Sequence, residues 1–235
     1  MTLPKAAFLR GLTHSLPFVL VILPFGMLYG VISAEAGLTG FETMAFTLSV
    51  FAGASQFAAL QLMQDQAPVL VILATALAVN LRMVMYSVAL TPHLGAAPLG
   101  VRAALSYFLV DQPFALCSVE FERRAMTLDE KVAYFAGSVT VIAPLWNLSA
   151  WAGFKAGNAI PPEYALDFAM PITFLAMTAP LMRSVPHAAA AVTSALGAVA
   201  LVWLPYGTGV LVAAAVAMAV GAGTEIAMQK KRAAA

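Results

Sequence analysis

The feature that most constrains this chain is a series of long apolar segments along its whole length. A membrane-spanning helix needs about 20 mostly apolar residues, because a rise of about 1.5 Å per residue must cover about 30 Å of hydrocarbon. Only the turn around Pro205-Tyr206-Gly207 separates the last two segments, so seven spans is the alternative count. The sequence therefore predicts an all-α integral membrane protein, a polytopic bundle of about eight transmembrane helices. The eight segments run approximately over Ser15–Ala34, Thr43–Met63, Pro68–Leu90, Val101–Val119, Val132–Ala156, Ala165–Met182, His187–Leu204 and Gly207–Ala227.

The composition also indicates that the chain is surrounded by lipid. Hydrophobic residues make up 62% of the chain and charged residues 10%, whereas soluble globular chains carry about 25% charged and about 45–50% apolar residues. A net charge of +1 offers no basic surface for nucleic acid. The single cysteine, Cys117, excludes an internal disulfide framework and a cysteine-based metal cluster, and three histidines far apart in sequence argue against a histidine metal site. No cofactor is expected. No linker divides the chain, so residues 1–235 are predicted to form a single transmembrane transporter domain.

Basic residues near the ends of the segments predict the orientation, because Lys and Arg collect on the cytoplasmic side of a membrane. With the N-terminus inside, the outer side keeps only Arg102 and Lys155. We therefore predict a multi-pass protein of the bacterial cytoplasmic (inner) membrane with both termini in the cytoplasm, and a solvated cytoplasmic loop over Glu120–Lys131. The basic residues on the predicted cytoplasmic side are Lys5, Arg10, Arg123, Arg124, Lys131, Arg183, Lys230, Lys231 and Arg232.

A faint repeat relates the two halves of the sequence. Gly26-x-x-x-Gly30 in the first span is echoed by Gly153-x-x-x-Gly157 in the fifth, and Phe51-Ala52 in the second by Phe168-Ala169 in the sixth. A shift of four spans preserves orientation, which predicts two parallel four-helix halves rather than an inverted repeat. The glycine motifs are suited to close helix contact, either with a partner subunit or with each other.

Two ionisable residues lie well inside predicted spans, Arg82 in the third and Asp111 in the fourth. A charge at mid-membrane costs about 2.5–3.5 kcal/mol on insertion scales, so such residues are functional candidates by default. The two spans are consecutive and predicted to be antiparallel, which would place both side chains at similar depth, where they can pair. The pair has two interpretations: a structural ion pair between helices, or part of a transport path in which Asp111 changes protonation or partner.

Polar side chains in the second and third spans point to a substrate site. The run Phe51-Ala52-Gly53-Ala54-Ser55-Gln56-Phe57 sets four small residues beside an amide. A helix break there would aim free N–H groups at a carboxylate, whereas an unbroken helix would use the small residues for close packing. In the third span, Asn80 and Tyr86 lie on different helical faces, so protein must surround this helix or the helix must unwind.

Two further amides complete the candidate site. Gln112 lies between Asp111 and the helix breaker Pro113. Asn147 lies beside Trp146 in the fifth span, where ordinary interhelical hydrogen bonding is its simpler role. The candidate substrate-binding residues are Ser55, Gln56, Asn80, Tyr86 and Asn147, and the candidate coupling residues are Asp111, Arg82 and Gln112.

At these residues the sequence resembles the AzlC family of branched-chain amino acid exporters, over nearly the whole chain. Two positions depart from the family pattern. Met83 stands where His often follows Asn-Leu-Arg, and Gln112 where Glu often follows the aspartate, which argues against a simple histidine-based proton relay. The resemblance rests on the glycine-punctuated first span, the Phe51–Phe57 run, Asn80-Leu81-Arg82 with Tyr86-Ser87, Asp111 with Phe114-Ala115-Leu116, and Asp167-Phe168-Ala169.

The resemblance implies export of hydrophobic amino acids such as valine, leucine and isoleucine, and a small AzlD-type membrane subunit as partner. We therefore expect a secondary transporter, proton-coupled, that forms the larger subunit of a two-component permease. The alternative is a channel or a carrier for another small zwitterionic or polar solute. An enzyme is not expected, because the sequence has neither a Gly-x-Ser-x-Gly elbow nor a His-Glu-x-x-His helix.

Overall fold

The computed structural model describes residues 4–157, 182, 184–205 and 208–233, and every regular element in these ranges is helical. The predicted all-α architecture is correct for them. The predicted sixth span, Ala165–Met182, lies outside the described residues except for Met182. The helices are α1 (Lys5–Ser15), α2 (Val19–Glu35), α3 (Gly40–Ser49), α4 (Gly53–Gln64), α5 (Val69–Leu94), α6 (Leu99–Tyr107), α7 (Asp111–Arg123), α8 (Leu128–Gly157), α9 (Val185–Ala200) and α10 (Thr208–Ala233).

Four helices are long and apolar enough to cross a membrane. They are the continuous run of α1 and α2 over Lys5–Glu35, then α5, α8 and the Thr208–Lys230 part of α10, and they correspond to predicted spans one, three, five and eight. The predicted seventh span is the shorter α9, with 16 residues. Eight crossing helices are not found in the described part of the chain, because the second and fourth predicted spans are each divided into two short helices, α3 with α4 and α6 with α7.

The chain forms two compact units, residues 1–60 with 76–164 and residues 61–75 with 165–235. In the second unit, α9 and α10 pack antiparallel through small residues. A Cβ at Gly197 would lie 3.0 Å from that of Ala213, and one at Gly221 would lie 3.1 Å from that of Ala190. All candidate site residues belong to the first unit. The single transporter domain stays a prediction.

The first unit is built on a parallel pair, in which α1 and α2 run alongside α8. Gly11 lies against Tyr134, and Gly30 lies against Ala150, so residue numbers rise together along the two partners. A Cβ at either glycine would overlap the backbone of α8, and only glycine allows this approach.

The two Gly-x-x-x-Gly motifs lie in this interface and face each other's helices. Gly26 lies against Ser149, and Gly153 and Gly157 lie against Met27 and Val31. Of the two roles predicted for these motifs, contact with each other is the one observed. They are therefore occupied inside the chain and give no support for a partner subunit.

α3 and α4 form a re-entrant hairpin, called here the first hairpin. Tyr29 of α2 touches both Phe46 of α3 and Phe57 of α4, at ring-centroid distances of 6.3 and 6.1 Å. On one straight helix, positions 46 and 57 would be separated by about 16 Å. The chain therefore reverses at residues 50–52, between the end of α3 and the start of α4, and the predicted second span does not cross.

α6 and α7 form the second hairpin. Arg82 of α5 pairs with Asp111 at the start of α7, and His93 near the end of α5 lies 5.4 Å from Phe121 near the end of α7. α7 therefore runs parallel to α5, and α6 must first return along α5 from Leu94 toward Arg82. The predicted antiparallel relation holds for α6 but is wrong for α7, which carries the aspartate, because the chain turns again at residues 108–110.

The two hairpins enter the first unit from opposite ends. His93 lies 3.1 Å from Lys131, and Arg10 lies 3.6 Å from Glu120, so the starts of α1 and α8 and the ends of α5 and α7 share one end. The second hairpin enters from this end and the first from the other. The end that holds the starts of α1 and α8 is called here the basic end. Six basic residues of this unit lie there: Lys5, Arg10, Arg102, Arg123, Arg124 and Lys131.

This arrangement is inverted rather than parallel. The order helix, hairpin, helix occurs twice with α5 shared, once in each direction, which is the symmetry common among carriers. The predicted parallel halves compare spans one to four with spans five to eight, and the second of these sets extends beyond the described residues. The parallel halves therefore stay a prediction. Arg102, predicted on the outer side, lies at the basic end because α6 starts there. Lys155 stays at the opposite end, so the charge bias along this unit is stronger than predicted.

Candidate functional site

The tips of the two hairpins meet inside the first unit. The Phe51 ring, at the reversal of the first hairpin, lies 6.0 Å from Tyr107 and 5.7 Å from Phe108 at the reversal of the second. The Tyr107 hydroxyl donates a hydrogen bond to the Leu48 carbonyl, so the contact is polar as well as aromatic. Two helices, α4 and α7, therefore begin close to this contact.

Asp111 is the first residue of α7 and is held by two side chains of α5. Its Oδ2 lies 3.3 Å from Arg82 Nη2, and its Oδ1 accepts a 2.7 Å hydrogen bond from the Tyr86 hydroxyl. The Tyr86 ring is stacked on Phe114 at 4.1 Å, which fixes the direction of the hydroxyl. The structure thus brings together Arg82, Tyr86 and Asp111, three of the predicted site residues.

Positive groups surround the Asp111 carboxylate, which stays accessible. The first turn of a helix stabilises negative charge through its dipole and free N–H groups, and Arg82 adds a full positive charge. The Arg82 and Asp111 side chains keep 32% and 39% of their surface exposed. A pair that is a third exposed inside a membrane protein can exchange partners with water or with a ligand, which a sealed pair cannot.

The first turn of α4 holds the second part of the candidate site. The N–H groups of Ser55 and Gln56 donate to the Ala52 carbonyl, which leaves the N–H groups of Gly53 and Ala54 without an acceptor within the helix. Ser55 Oγ also donates to Ala52 O at 2.9 Å. The predicted break in the small-residue run is therefore observed, and the Ser55 hydroxyl stabilises it.

Gln56 is buried without any polar partner. Its exposed fraction is 0%, and neither Oε1 nor Nε2 makes a hydrogen bond. An amide buried in this way costs about 1–3 kcal/mol by mutational measurements. The first turn of this broken helix therefore contains a buried donor and a buried acceptor without a hydrogen-bond partner.

An aromatic cluster packs against this turn. Its members are 4.6 to 6.1 Å apart between ring centroids, and Trp146 Nε1 donates a 2.7 Å hydrogen bond to Thr47 of α3. A Cβ at Gly53 would lie 2.9 Å from Trp146, so a glycine is required there. The cluster, which the sequence analysis did not single out, consists of Phe25, Tyr29, Phe57 and Trp146.

The remaining predicted site residues are less closely connected. Asn147 Nδ2 donates to Ala143 O of its own helix at 2.8 Å, so the expected interhelical bond is not formed. The Oδ1 atoms of Asn80 and Asn147 are buried without a partner, and Gln112 is half-buried beside Asp111. No hydrogen bond joins Gln56 or Asn147 to the Asp111 cluster among the described residues.

The sequence analysis also missed a buried charged cluster at the basic end. Glu120 is 5% exposed and pairs with Arg10 at 3.6 Å and Arg124 at 3.1 Å. The mixed charges around it predicted a solvated loop over Glu120–Lys131, but Glu120 is still within α7 and faces α1. The available signal was the spacing of Glu120 with Cys117 and Phe121, which places all three on one face of a helix.

This geometry suits the binding of a small zwitterion. Free N–H groups and an amide can hold a carboxylate at α4, and the Asp111 carboxylate can hold an ammonium group or a proton. Within the described ranges, no group of three histidine, cysteine or acidic side chains is placed to hold a metal ion.

Comparison with known proteins places the chain in a family. It is 29% identical to an uncharacterised membrane protein of Archaeoglobus fulgidus over 84% of both chains. It is 26% identical to the inner membrane protein YgaZ of Escherichia coli over 73% of this chain and 71% of that one, and 24% identical to an uncharacterised membrane protein of Helicobacter pylori over 68% and 67%. No solved structure matches. The AzlC protein family matches residues 17–160, so the chain belongs to the AzlC family of membrane proteins, a transport family.

Proposed function

We propose that this protein is a secondary transporter that exports branched-chain amino acids across the bacterial cytoplasmic membrane, driven by the proton gradient. The observation that carries the proposal is the Asp111 carboxylate at the tip of a re-entrant helix, held by Arg82 and Tyr86 and still accessible. Intramembrane charges at broken helices are typical of ion and substrate sites in carriers. The basic end is the cytoplasmic end in this proposal, with both termini on that side.

The substrate carboxylate is assigned to the first turn of α4. The unpaired N–H groups there carry the positive end of a helix dipole, and the Gln56 amide has no other partner. The neighbouring Phe25 and Trp146 rings offer an apolar surface for an aliphatic side chain. Asn80 and Asn147 contribute their free Oδ1 atoms where the substrate or water reaches them.

Coupling is assigned to Asp111, with Arg82 as its counter-ion in one state. When Asp111 takes up a proton it loses its attraction for Arg82, and the cation then turns to another acceptor. Tyr86 keeps the carboxyl in place through its hydrogen bond, and Gln112 is the next side chain along the helix. No histidine is needed, which agrees with Met83 in the adjoining span.

A channel is the alternative. The Phe51 and Phe108 rings are in contact where the two hairpin tips meet, and such a contact supports a carrier that opens to one side at a time. Counterflow separates the two: labelled leucine should accumulate in liposomes loaded with unlabelled leucine and saturate with concentration, whereas a channel gives neither result.

The partner is proposed to be a small AzlD-type membrane subunit. The test is to purify the chain with and without a small hydrophobic protein encoded beside its gene, reconstitute both forms, and measure efflux of labelled amino acids with and without a pH gradient. Full pH-driven leucine efflux by the chain alone would refute an obligatory partner. Absence of efflux from both forms would refute the exporter.

A further inference from the structure

A cavity of about 380 Å³ lies between α5 and α6 at the basic end, and none of the assigned site residues lines it. Its volume is at the lower end of the range for small-molecule sites. Its walls combine leucines, including Leu94 and Leu109, with a small set of polar side chains. The polar lining residues are Ser87, Thr91, Arg102 and Ser106.

Arg102 gives this cavity its charge. It forms no ion pair with any described residue, while the other arginine that lines a site, Arg82, is paired with Asp111. Thr91 already donates to the Ser87 carbonyl, and the Arg102 guanidinium is the charged donor among the residues that line the cavity. An unpaired guanidinium beside leucines fits a ligand that has a carboxylate at one end and an apolar chain at the other.

The cavity also leads toward the transport site. Its outer residues, Gly95 and Leu99, lie at the turn between α5 and α6, and its inner residues include Leu109 and Ser87. Ser87 follows Tyr86 directly, and Leu109 precedes Asp111 by two positions. The inner end therefore reaches the depth of the Asp111 cluster.

We propose that this cavity is a vestibule which takes up a free hydrophobic amino acid from the basic end, with Arg102 holding the carboxylate before the substrate reaches the hairpin tips. This inference deepens the proposed function and rests on it for the identity of the substrate. The same guanidinium chemistry would hold the phosphate of a lipid headgroup, so the test must separate the two ligands.

The direct test is occupancy, measured without transport. In a Cys117→Ala background, Ser106→Cys places a thiol in the cavity wall, and its reaction with a water-soluble alkylating reagent is followed in the purified protein. Millimolar leucine should slow the reaction severalfold, and alanine should slow it less. Protection should weaken about tenfold in Arg102→Gln, because a charged hydrogen bond is lost, and Arg102→Lys should restore part of it. Arg123→Gln removes the same charge at the same end and should leave protection unchanged.

The second readout is the sidedness of transport in vesicles. Arg102→Gln should raise the half-saturating leucine concentration for transport from the basic end about tenfold, while the rate at saturation from that end stays the same. Protection by anionic lipid instead of leucine would overturn the proposal in favour of a lipid site. Normal pH-driven efflux with no protection by leucine would refute the vestibule and leave the exporter intact. Protection without any transport would refute the exporter and leave the vestibule.

Discussion

The two hairpins share a shape and differ in chemistry. The tip of the first is neutral: Ser55 and Gln56 are 0% exposed, Gly53 and Ala54 are half-buried, and aromatic rings pack against the helix start. The tip of the second carries Asp111, whose side chain is 39% exposed and forms an ion pair with Arg82. Apolar residues are buried at both tips, but only the second tip carries an ion pair, which a proton or a ligand can replace.

This difference suggests that the two hairpins have different roles. A tightly packed tip preserves the position of the N–H groups that a substrate carboxylate needs, because well-packed interiors resist displacement. A tip held by a charge pair can change its contacts when the charge changes. We therefore expect substitutions in the first hairpin to alter binding or stability, and those in the second to alter coupling.

The largest expected effect is the loss of coupling in Asp111→Asn. The variant cannot take up a proton at this position, so it should exchange leucine for leucine yet show no response to a pH gradient. The fold should survive, because a pair that is a third exposed contributes only about 1 kcal/mol or less. Efflux with and without an imposed gradient measures the result.

The double variant Asp111→Asn with Arg82→Gln is the control for a structural pair. If the pair only joins two helices, removing both charges should restore pH-driven flux. Recovery of that flux would mean that the second hairpin has no coupling role.

The next effect is the loss of substrate affinity in Gln56→Leu. The amide is the free polar side chain of the α4 turn, so leucine binding to the purified protein should weaken tenfold or more. Unliganded stability should stay the same or rise, because an unsatisfied buried amide has been removed. Gln64→Leu changes an exposed amide on the same helix and should have no effect. Unchanged affinity in Gln56→Leu would place the carboxylate site elsewhere.

A smaller effect is expected from a single methyl group at Gly53. In Gly53→Ala the new Cβ would lie 2.9 Å from Trp146 and 3.1 Å from Phe25, so the free energy of unfolding should fall by about 1–3 kcal/mol. Gly100→Ala is the matched control, since nothing lies within 4 Å of its Cβ; better helix propensity should leave stability equal or slightly higher. Thermal unfolding in detergent compares the two. Equal melting temperatures would show that the first tip is not tightly packed.

The smallest effect concerns the entry to the first hairpin at Glu42. The N–H and hydroxyl of Thr39 donate to this carboxylate and lower its pKa from the ordinary value. A lowered pKa in the folded state stabilises the fold above the unfolded-state pKa, and that contribution is lost as the pH falls through the folded-state pKa. The difference in melting temperature between wild type and Glu42→Gln should therefore shrink on acidification. A difference that grows at low pH would contradict the capping role.

The sequence predicted the chemistry of the site better than its topology. The pairing of Arg82 with Asp111 followed from the cost of lone charges in a membrane, and the break in the first hairpin from small residues around Gly53. The reversals were missed because Val50-Phe51 and Leu109-Val110 are themselves apolar, so hydropathy runs through them without interruption.

The other differences between the prediction and the structure depend on contacts between residues far apart in sequence. Only the position of Tyr29 against two helices shows that the chain reverses. Glu120 is buried by Arg10, 110 positions earlier in the chain, and no local pattern predicts that partner. Arg102 lies at the basic end instead of the predicted outer side because α5 ends at the basic end. This direction of α5 is a consequence of the reversal in the first hairpin.

The measurement that tests the inverted hairpins most directly is side-specific labelling of single cysteines in a Cys117→Ala background. Ala96→Cys lies between α5 and α6, Ala125→Cys between α7 and α8, and Ala36→Cys between α2 and α3. The account predicts that an impermeant thiol reagent reaches Ala96→Cys and Ala125→Cys from the same side of sealed vesicles and Ala36→Cys from the other. Labelling of Ala96→Cys and Ala125→Cys from opposite sides would mean that α6 and α7 cross the membrane together, and would contradict the account.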